Sequence, residues 1–177
     1  MVRSWIVMLL LSVSSLSCGY ALSGRGSFLP DYIETVGIPM FDNGTSVFDV
    51  EQLLTEQVRQ VFIGRGRYRV VSDEIAVDAV LEGSIDDINI VPASFSSDQQ
   101  ASRYIFTLTA SIVFRDLTTD EVLWENPRLV FNDEYEVTSG GGNISSVSAF
   151  FGQRSNAVER VAQDFAQTVV SSILEAF

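Results

Sequence analysis

The chain has 177 residues, enough for one domain of ordinary size, and 46% of them are hydrophobic. It carries 23 acidic residues against 11 cations, all of them arginine, and it has neither lysine nor histidine. This composition excludes a lysine Schiff base, a histidine general base and histidine metal ligands, and the net charge of −12 argues against a nucleic-acid surface. We therefore expect a binding or scaffolding protein that is not an enzyme and holds no metal or cofactor.

Residues 1–17 are typical of a signal peptide. Arg3 precedes an unbroken apolar run over residues 5–11, and small polar residues follow. That run is too short to cross a hydrocarbon layer of about 30 Å, so we predict no transmembrane anchor. Removal of residues 1–17 would take Arg3 away and leave a formal charge of −13.

Cys18, the only cysteine, directly follows this segment. The stretch Leu16-Ser17-Cys18-Gly19 resembles a bacterial lipobox, with its leucine one place later than usual. We predict that Cys18 is acylated and anchors the protein to a membrane. The alternative is a secreted protein with an unpaired thiol. By resemblance to lipoprotein sorting rules, Gly19 favours the outer membrane, and the Gly- and Ser-rich stretch 18–30 is predicted to be a flexible lipidated tether.

Residues 31–177 are predicted to form a single domain that begins with a strand over 32–41. This stretch is rich in β-branched residues, and Pro39 indicates an edge or an end of the strand. Asp42-Asn43-Gly44 is a turn signal.

A helix is expected over 46–63. Thr45 or Ser46 would cap its start, and Gly64 would end it in a left-handed conformation. Its apolar residues recur at spacings of three and four: Val47, Val50, Leu54, Val58, Val61 and Phe62.

Four extended segments follow, over 67–72, 79–91, 103–117 and 121–137. The alternation of the second changes phase at Asp86-Asp87, which predicts a β-bulge. The third alternates most clearly, with one apolar face formed by Tyr104, Phe106, Leu108, Ala110, Ile112 and Phe114. A turn at 118–120 would place Phe114 across from Trp124, and Pro127 should lie at a bulge or an edge.

Two long polar loops, 92–102 and 138–148, and a last helix over 155–175 complete the pattern. The helix has an apolar stripe formed by Val158, Val161, Phe165, Val169 and Ile173. The predicted fold class is α+β: a two-layer sandwich with two helices packed on one face of a mixed, mostly antiparallel sheet of four to five strands.

The clusters of charged residues are weak candidates for catalytic or binding sites. Glu134 and Glu136 share a strand face and are the best carboxylate pair, but a solvated acidic face is the favoured interpretation. Adjacent acids such as Asp133 and Glu134 should point to opposite faces. Three arginines form a small basic cluster whose simplest role is pairing with acids: Arg65, Arg67 and Arg69.

An ordered series of short motifs resembles the LptE family of lipopolysaccharide-assembly lipoproteins. Cys18-Gly19-Tyr20-Ala21-Leu22 is similar to the start of the mature members, and the stretch from Ile33 to Asn43 is similar to their first strand. Further similar stretches run from Asp78 to Gly83 and from Val122 to Glu125. The series spans about residues 18–137, and the final helix agrees in position.

The resemblance implies a sheet with two helices on one face and a role inside the outer-membrane β-barrel LptD, as its plug and assembly partner. It implies a periplasm-facing, lipid-anchored protein, with lipopolysaccharide as a candidate ligand. The acidity of the mature chain favours the plug role over direct capture of that glycolipid, and we assign no ligand-binding residue. The alternative is another periplasmic scaffold lipoprotein, similar to TolB N-terminal or CsgG-type domains.

Overall fold

The computed structural model describes residues 29–65, 67–95, 101–136, 150–151 and 156–176. The predicted signal, Cys18, most of the tether and the predicted loop 138–148 lie outside these residues. The elements, in chain order, are strands β1 (Thr35–Gly37) and β2 (Asp42–Asn43), helix α1 (Val50–Gly64), strands β3 (Arg69–Val71), β4 (Ala79–Phe95), β5 (Ala101–Asp116) and β6 (Glu121–Glu136), and helix α2 (Asn156–Leu174).

The strands form one mixed sheet in the order β3-β1-β4-β5-β6, with β2 paired to β4 beside this path. Strands β1, β2 and β3 make parallel pairs, whereas the long strands β4, β5 and β6 are antiparallel. The predicted α+β sandwich is therefore confirmed, with six strands in place of four to five.

The extra strand is β2, which lies just beyond the predicted strand 32–41 and takes in Asp42 and Asn43 of the predicted turn, whereas the predicted strand is reduced to β1. Pro39 has no N–H to donate to a ladder. Around it the chain bonds to helix α1: Arg59 donates to the Ile38 carbonyl at 2.9 and 2.6 Å, and Thr55 Oγ1 accepts from the Phe41 N–H at 3.0 Å. These bonds hold the chain away from β4 until β2 begins.

Helix α1 begins four residues later than predicted, and neither Thr45 nor Ser46 caps it. Asn43 holds the preceding turn, because its amide donates to the Val47 carbonyl at 2.7 Å and its Oδ1 accepts from the Thr45 N–H at 2.9 Å. The helix starts after Asp49, which has a φ of 62° and makes no side-chain cap. The predicted left-handed Gly64 is also wrong: Gly64 belongs to α1, and Arg65 ends it in a right-handed conformation.

The long strands β4 and β5 follow the predicted alternation. The register shifts between Ile85 and Asp87, which confirms the bulge, and Phe114 pairs with Trp124 as predicted. Pro127 lies on the edge strand β6, within a second register shift between β5 and β6.

The predicted loop 92–102 is largely strand, because β4 runs to Phe95 and β5 starts at Ala101. Pro92 is tolerated there because this half of β4 pairs only with β5 among the described strands, so its missing N–H faces no partner.

Both helices cover the same face of the sheet, as predicted. Phe62 of α1 packs beside Phe114, with ring centroids 6.3 Å apart, and Phe165 of α2 meets Phe131 edge-on at 5.9 Å. The predicted apolar stripe of α2 is buried along its whole length. The other face of the sheet is left outside this core.

Candidate functional site

The face of the sheet opposite the helices carries a neutral central stripe, formed by the outward residues of β5. Their side chains alternate with the buried residues of the same strand and remain partly exposed. The members of this neutral stripe are Ile105, Thr107, Thr109, Ser111 and Val113. The surface is uncharged, rich in β-branched residues and about 27 Å long, at about 3.4 Å per residue.

Neighbouring strands extend this open face and place acidic residues beside the stripe, because Asp87 pairs with Thr109, and Glu82 and Glu125 both pair with Val113. Thr107 lies between Asn89 and Asn132, and its hydroxyl donates to Asn132 Oδ1 at 2.8 Å. At one end Arg103 pairs with Glu134 at 3.6 Å, and at the other Arg115 lies 3.8 Å from Asp120. A neutral centre with a charged rim is the usual anatomy of a protein–protein contact surface.

The free edge of β6 is partly closed by an ion pair with α2. Asp133 lies on the helix-covered face, where Arg160 Nη1 approaches its Oδ2 at 3.2 Å. The Glu134 N–H donates to Asp133 Oδ1 at 2.8 Å, and Arg160 Nη2 lies 3.5 Å from the Glu134 carbonyl. These contacts engage both backbone polar groups of Glu134, which limits addition of another strand at this point.

The predicted carboxylate pair offers no acid–base centre in the described residues. Glu134 is exposed and pairs with Arg103, and the side chain of Glu136 lies outside the described part. Asp133 and Glu134 point to opposite faces, as predicted. Asp86 and Asp87 are both exposed at the bulge. Across the described ranges, no three side chains of His, Cys, Asp or Glu come close enough to hold a metal ion.

Sequence analysis did not single out Asp116, which is fully buried at the end of β5. The Tyr32 hydroxyl donates to its Oδ2, and the amides of Thr118 and Thr119 donate to its Oδ1 at 2.7 and 3.2 Å. Burial raises the pKa of Asp116, but these hydrogen bonds outweigh it and hold the pKa below the usual value. The same hydrogen bond raises the pKa of Tyr32. An aspartate two residues before a pair of threonines is a turn signal that sequence reasoning had available.

The three clustered arginines diverge. Arg67 pairs with Asp31 at 2.7 Å, which fits the predicted pairing with acids. Arg65 instead donates to the Ser171 hydroxyl at 2.9 Å and so joins the ends of the two helices. Arg65 and Ser171 line a polar groove of about 530 Å³ between α1 and α2, together with Gln57, Gln60, Gln163 and Gln167. The periodicity of the helices locates their buried faces but gave no signal for this groove.

No described helix is both long and apolar enough to span a membrane.

A family model described as LptE, Lipopolysaccharide-assembly, matches residues 33–173. A comparison with curated protein sequences gave no match.

Two solved structures share the fold at low sequence identity, and a third is similar at a lower TM-score. The hypothetical protein CT253 from Chlamydia trachomatis is 8% identical, with a TM-score of 0.55, and the match covers 80% of this chain and 95% of that one. A point variant of the PelC dodecamer from Paraburkholderia phytofirmans is 13% identical, with a TM-score of 0.51 over 79% of this chain and 88% of that one. The rare lipoprotein B from Shewanella oneidensis is 12% identical, with a TM-score of 0.44, and 81% of this chain and 98% of that one are covered.

Proposed function

We propose that this chain, which belongs to the LptE family of lipopolysaccharide-assembly lipoproteins, is the plug and assembly partner of an LptD-type outer-membrane β-barrel. The family is one of assembly lipoproteins of the cell envelope and not of enzymes. In this proposal residues 1–17 are removed, Cys18 is acylated, and residues 31–177 form the domain that enters the barrel from the periplasm.

The open face of the β4-β5-β6 sheet is the observation that carries the proposal. The lumen of a membrane barrel is polar, whereas its outer surface is apolar. A plug therefore needs a long, neutral, hydrogen-bonding surface, and the neutral stripe from Ile105 to Val113 has this character. Thr107 and Asn132, bonded to each other across the strands, present hydroxyl and amide groups that can also bond to a barrel wall.

The acidity of the chain supports the plug role over direct lipopolysaccharide capture. Phosphorylated glycolipids attract clustered cations, but Arg65 and Arg67 are engaged by Ser171 and Asp31 and do not converge on a shared anion site. In this proposal the protein orders the barrel, and lipopolysaccharide contacts the complex as a secondary ligand.

A charge placed in the neutral stripe tests the proposed contact surface. The Thr109→Arg variant puts a bulky cation at its centre, beside Asp87, and docking would have to remove this charge from water. The matched control, Gln52→Arg, adds the same charge at an exposed position of α1. We expect the control to recover a large outer-membrane barrel in a pull-down from detergent-solubilised membranes and Thr109→Arg to lose it, with both variants folded. Equal recovery by the two variants would exclude this face as the contact surface.

Depletion of the protein tests the function itself. We expect depletion to lower the amount of lipopolysaccharide that reaches the cell surface, together with the amount of correctly assembled barrel. Unchanged surface lipopolysaccharide would overturn the proposed role. Recovery of a large homo-oligomer without any barrel would favour the alternative, a periplasmic scaffold of the TolB N-terminal or CsgG type.

A further inference from the structure

Exposed apolar side chains concentrate at one end of the domain. Strands β1, β3, β4 and β6 begin there, β5 and α1 end there, and the described chain starts there at Leu29. We call this the tether end. It carries five of the nine large apolar side chains that are exposed among the described residues: Tyr32, Ile63, Ile75, Leu117 and Val122.

Hydrogen bonds connect the segments that carry three of these residues. The Tyr32 hydroxyl binds Asp116, the residue before Leu117. The Leu117 N–H donates to the Asp78 carbonyl at 2.8 Å, and Asp78 closes the loop that carries Ile75. Asp73 holds that loop, since its Oδ1 accepts from the N–H of Ile75 at 3.2 Å. These bonds tie the segments that carry Tyr32, Ile75 and Leu117 to one end of the sheet, where all three side chains are exposed, and clustered exposed apolar groups mark interaction surfaces.

The length of the tether limits which surfaces these exposed apolar side chains can contact. Eleven residue steps separate Cys18 from Leu29, so a fully extended tether spans at most about 40 Å. With Cys18 embedded in a bilayer, the tether end stays close to that bilayer. A short flexible linker gives effective concentrations in the millimolar range, enough for a small apolar patch to be occupied.

We propose that the tether end docks on the zwitterionic lipid surface that holds the Cys18 anchor, with Tyr32, Ile75 and Leu117 entering the interfacial layer. This inference rests on the lipid anchor of the proposed function and concerns the anchored protein before it enters a barrel. Tyrosine suits the interface because its ring is apolar and its hydroxyl polar.

The charges at this end determine which lipid is accepted. Its exposed acids outnumber its arginines: Asp31, Glu34, Asp73, Glu74, Asp120 and Glu121. Arg67 and Arg115 are already paired with Asp31 and Asp120. An anionic membrane repels such a surface, and salt screens that repulsion within about 10 Å at 0.1 M. Docking should therefore be strongest on zwitterionic lipid and weaker when anionic lipid is added at low salt.

Site-specific fluorescence on the full acylated chain tests the inference. Acylation blocks the Cys18 thiol, so Ile75→Cys and Phe48→Cys each provide a single labelling site. The two positions are matched: Ile75 is 78% exposed and Phe48 is 89% exposed. Phe48 precedes the start of α1, about 22 Å along the helix from the tether end. Each variant is labelled with an environment-sensitive dye and reconstituted into phosphatidylcholine vesicles that contain doxyl-labelled lipid.

We expect lipid quenching at position 75 to exceed that at position 48 at least threefold. Added phosphatidylglycerol should reduce quenching at position 75 at low salt, and a Leu117→Ser change should reduce it in phosphatidylcholine without altering the urea midpoint. Equal quenching at positions 75 and 48 of an acylated chain would overturn the docking and leave the barrel role intact. Mass spectrometry that finds Cys18 unacylated would overturn both the docking and the anchored form of the proposed function.

Discussion

Arg160 on α2 and Asp133 on β6 form an ion pair, 3.2 Å from Nη1 to Oδ2, that fastens the last helix to the free edge of the sheet. Asp133 keeps only 19% of its side chain exposed, whereas Arg160 keeps 48%. The pair also engages the backbone of Glu134 on both its N–H and its carbonyl. One contact thus neutralises a half-buried carboxylate and covers part of an exposed strand edge.

Replacement of Arg160 by methionine should lower the free energy of unfolding by about 1–2 kcal/mol, because the Asp133 carboxylate loses its cation. The uncovered β6 edge should also increase self-association. Urea titration and light scattering measure the two effects. Arg128→Met is the control. It removes an exposed arginine from β6, the strand that carries Asp133, with the same change in net charge. Equal behaviour of the two variants would contradict this role of the pair.

Local periodicity was enough to predict the parts of the fold that repeat. The alternation of β5 has a period of two residues, so its buried face from Tyr104 to Phe114 was readable from the sequence. The stripe of α2 was readable for the same reason. The bulge at Asp86-Asp87 was predicted because a change of phase must be absorbed by one additional residue.

Contacts between distant residues decided the features that were missed. The first strand is shorter than predicted because Arg59 and Thr55 bond to Ile38 and Phe41, which lie 21 and 14 residues away along the chain. The helix was predicted to start too early because the Asn43 amide donates to the Val47 carbonyl, which holds this stretch in a turn before α1. The alternation of β5 predicts that the residues of the neutral stripe share one face. Their neighbours on β4 and β6 could not be predicted, because they follow from the sheet register.

Replacement of Asp116 by asparagine should destabilise the protein by about 1–2 kcal/mol at pH 7, because a buried carboxylate accepts bonds from Tyr32 and two amides. Its folded-state pKa is held below the ordinary value of 3.8. The stabilisation is therefore complete above about pH 4 and is lost as the pH falls through the lower, folded-state pKa. The stability difference between the wild type and Asp116→Asn should shrink in acid.

Urea titrations across this acid range measure that difference. Asp120→Asn serves as the control, since Asp120 is exposed and asparagine tolerates its φ of 56°. A stability difference for Asp116→Asn that stays constant down to about pH 2 would contradict the assignment.

Two phenylalanines, one buried and one exposed, should respond differently to replacement by alanine. Phe165→Ala should cost about 3–5 kcal/mol, because the ring is fully buried and packs edge-on against Phe131. Phe48→Ala should change stability by less than about 0.5 kcal/mol, since that ring is almost fully exposed. Thermal and urea unfolding of the two variants provide the comparison. A large loss from Phe48→Ala would mean that its ring packs on the domain.

Two glycines should respond to alanine in opposite ways. A Cβ on Gly37 would lie 2.4 Å from the Asp73 carbonyl oxygen, a backbone atom that must move, so Gly37→Ala should cost about 1–3 kcal/mol. A Cβ on Gly64 meets no atom within 4 Å, and this residue ends α1 without a left-handed φ, so Gly64→Ala should add up to about 1 kcal/mol. Urea unfolding of both variants tests the pair. Destabilisation by Gly64→Ala would restore the left-handed helix end that the sequence predicts, because alanine is strained there whereas glycine is not.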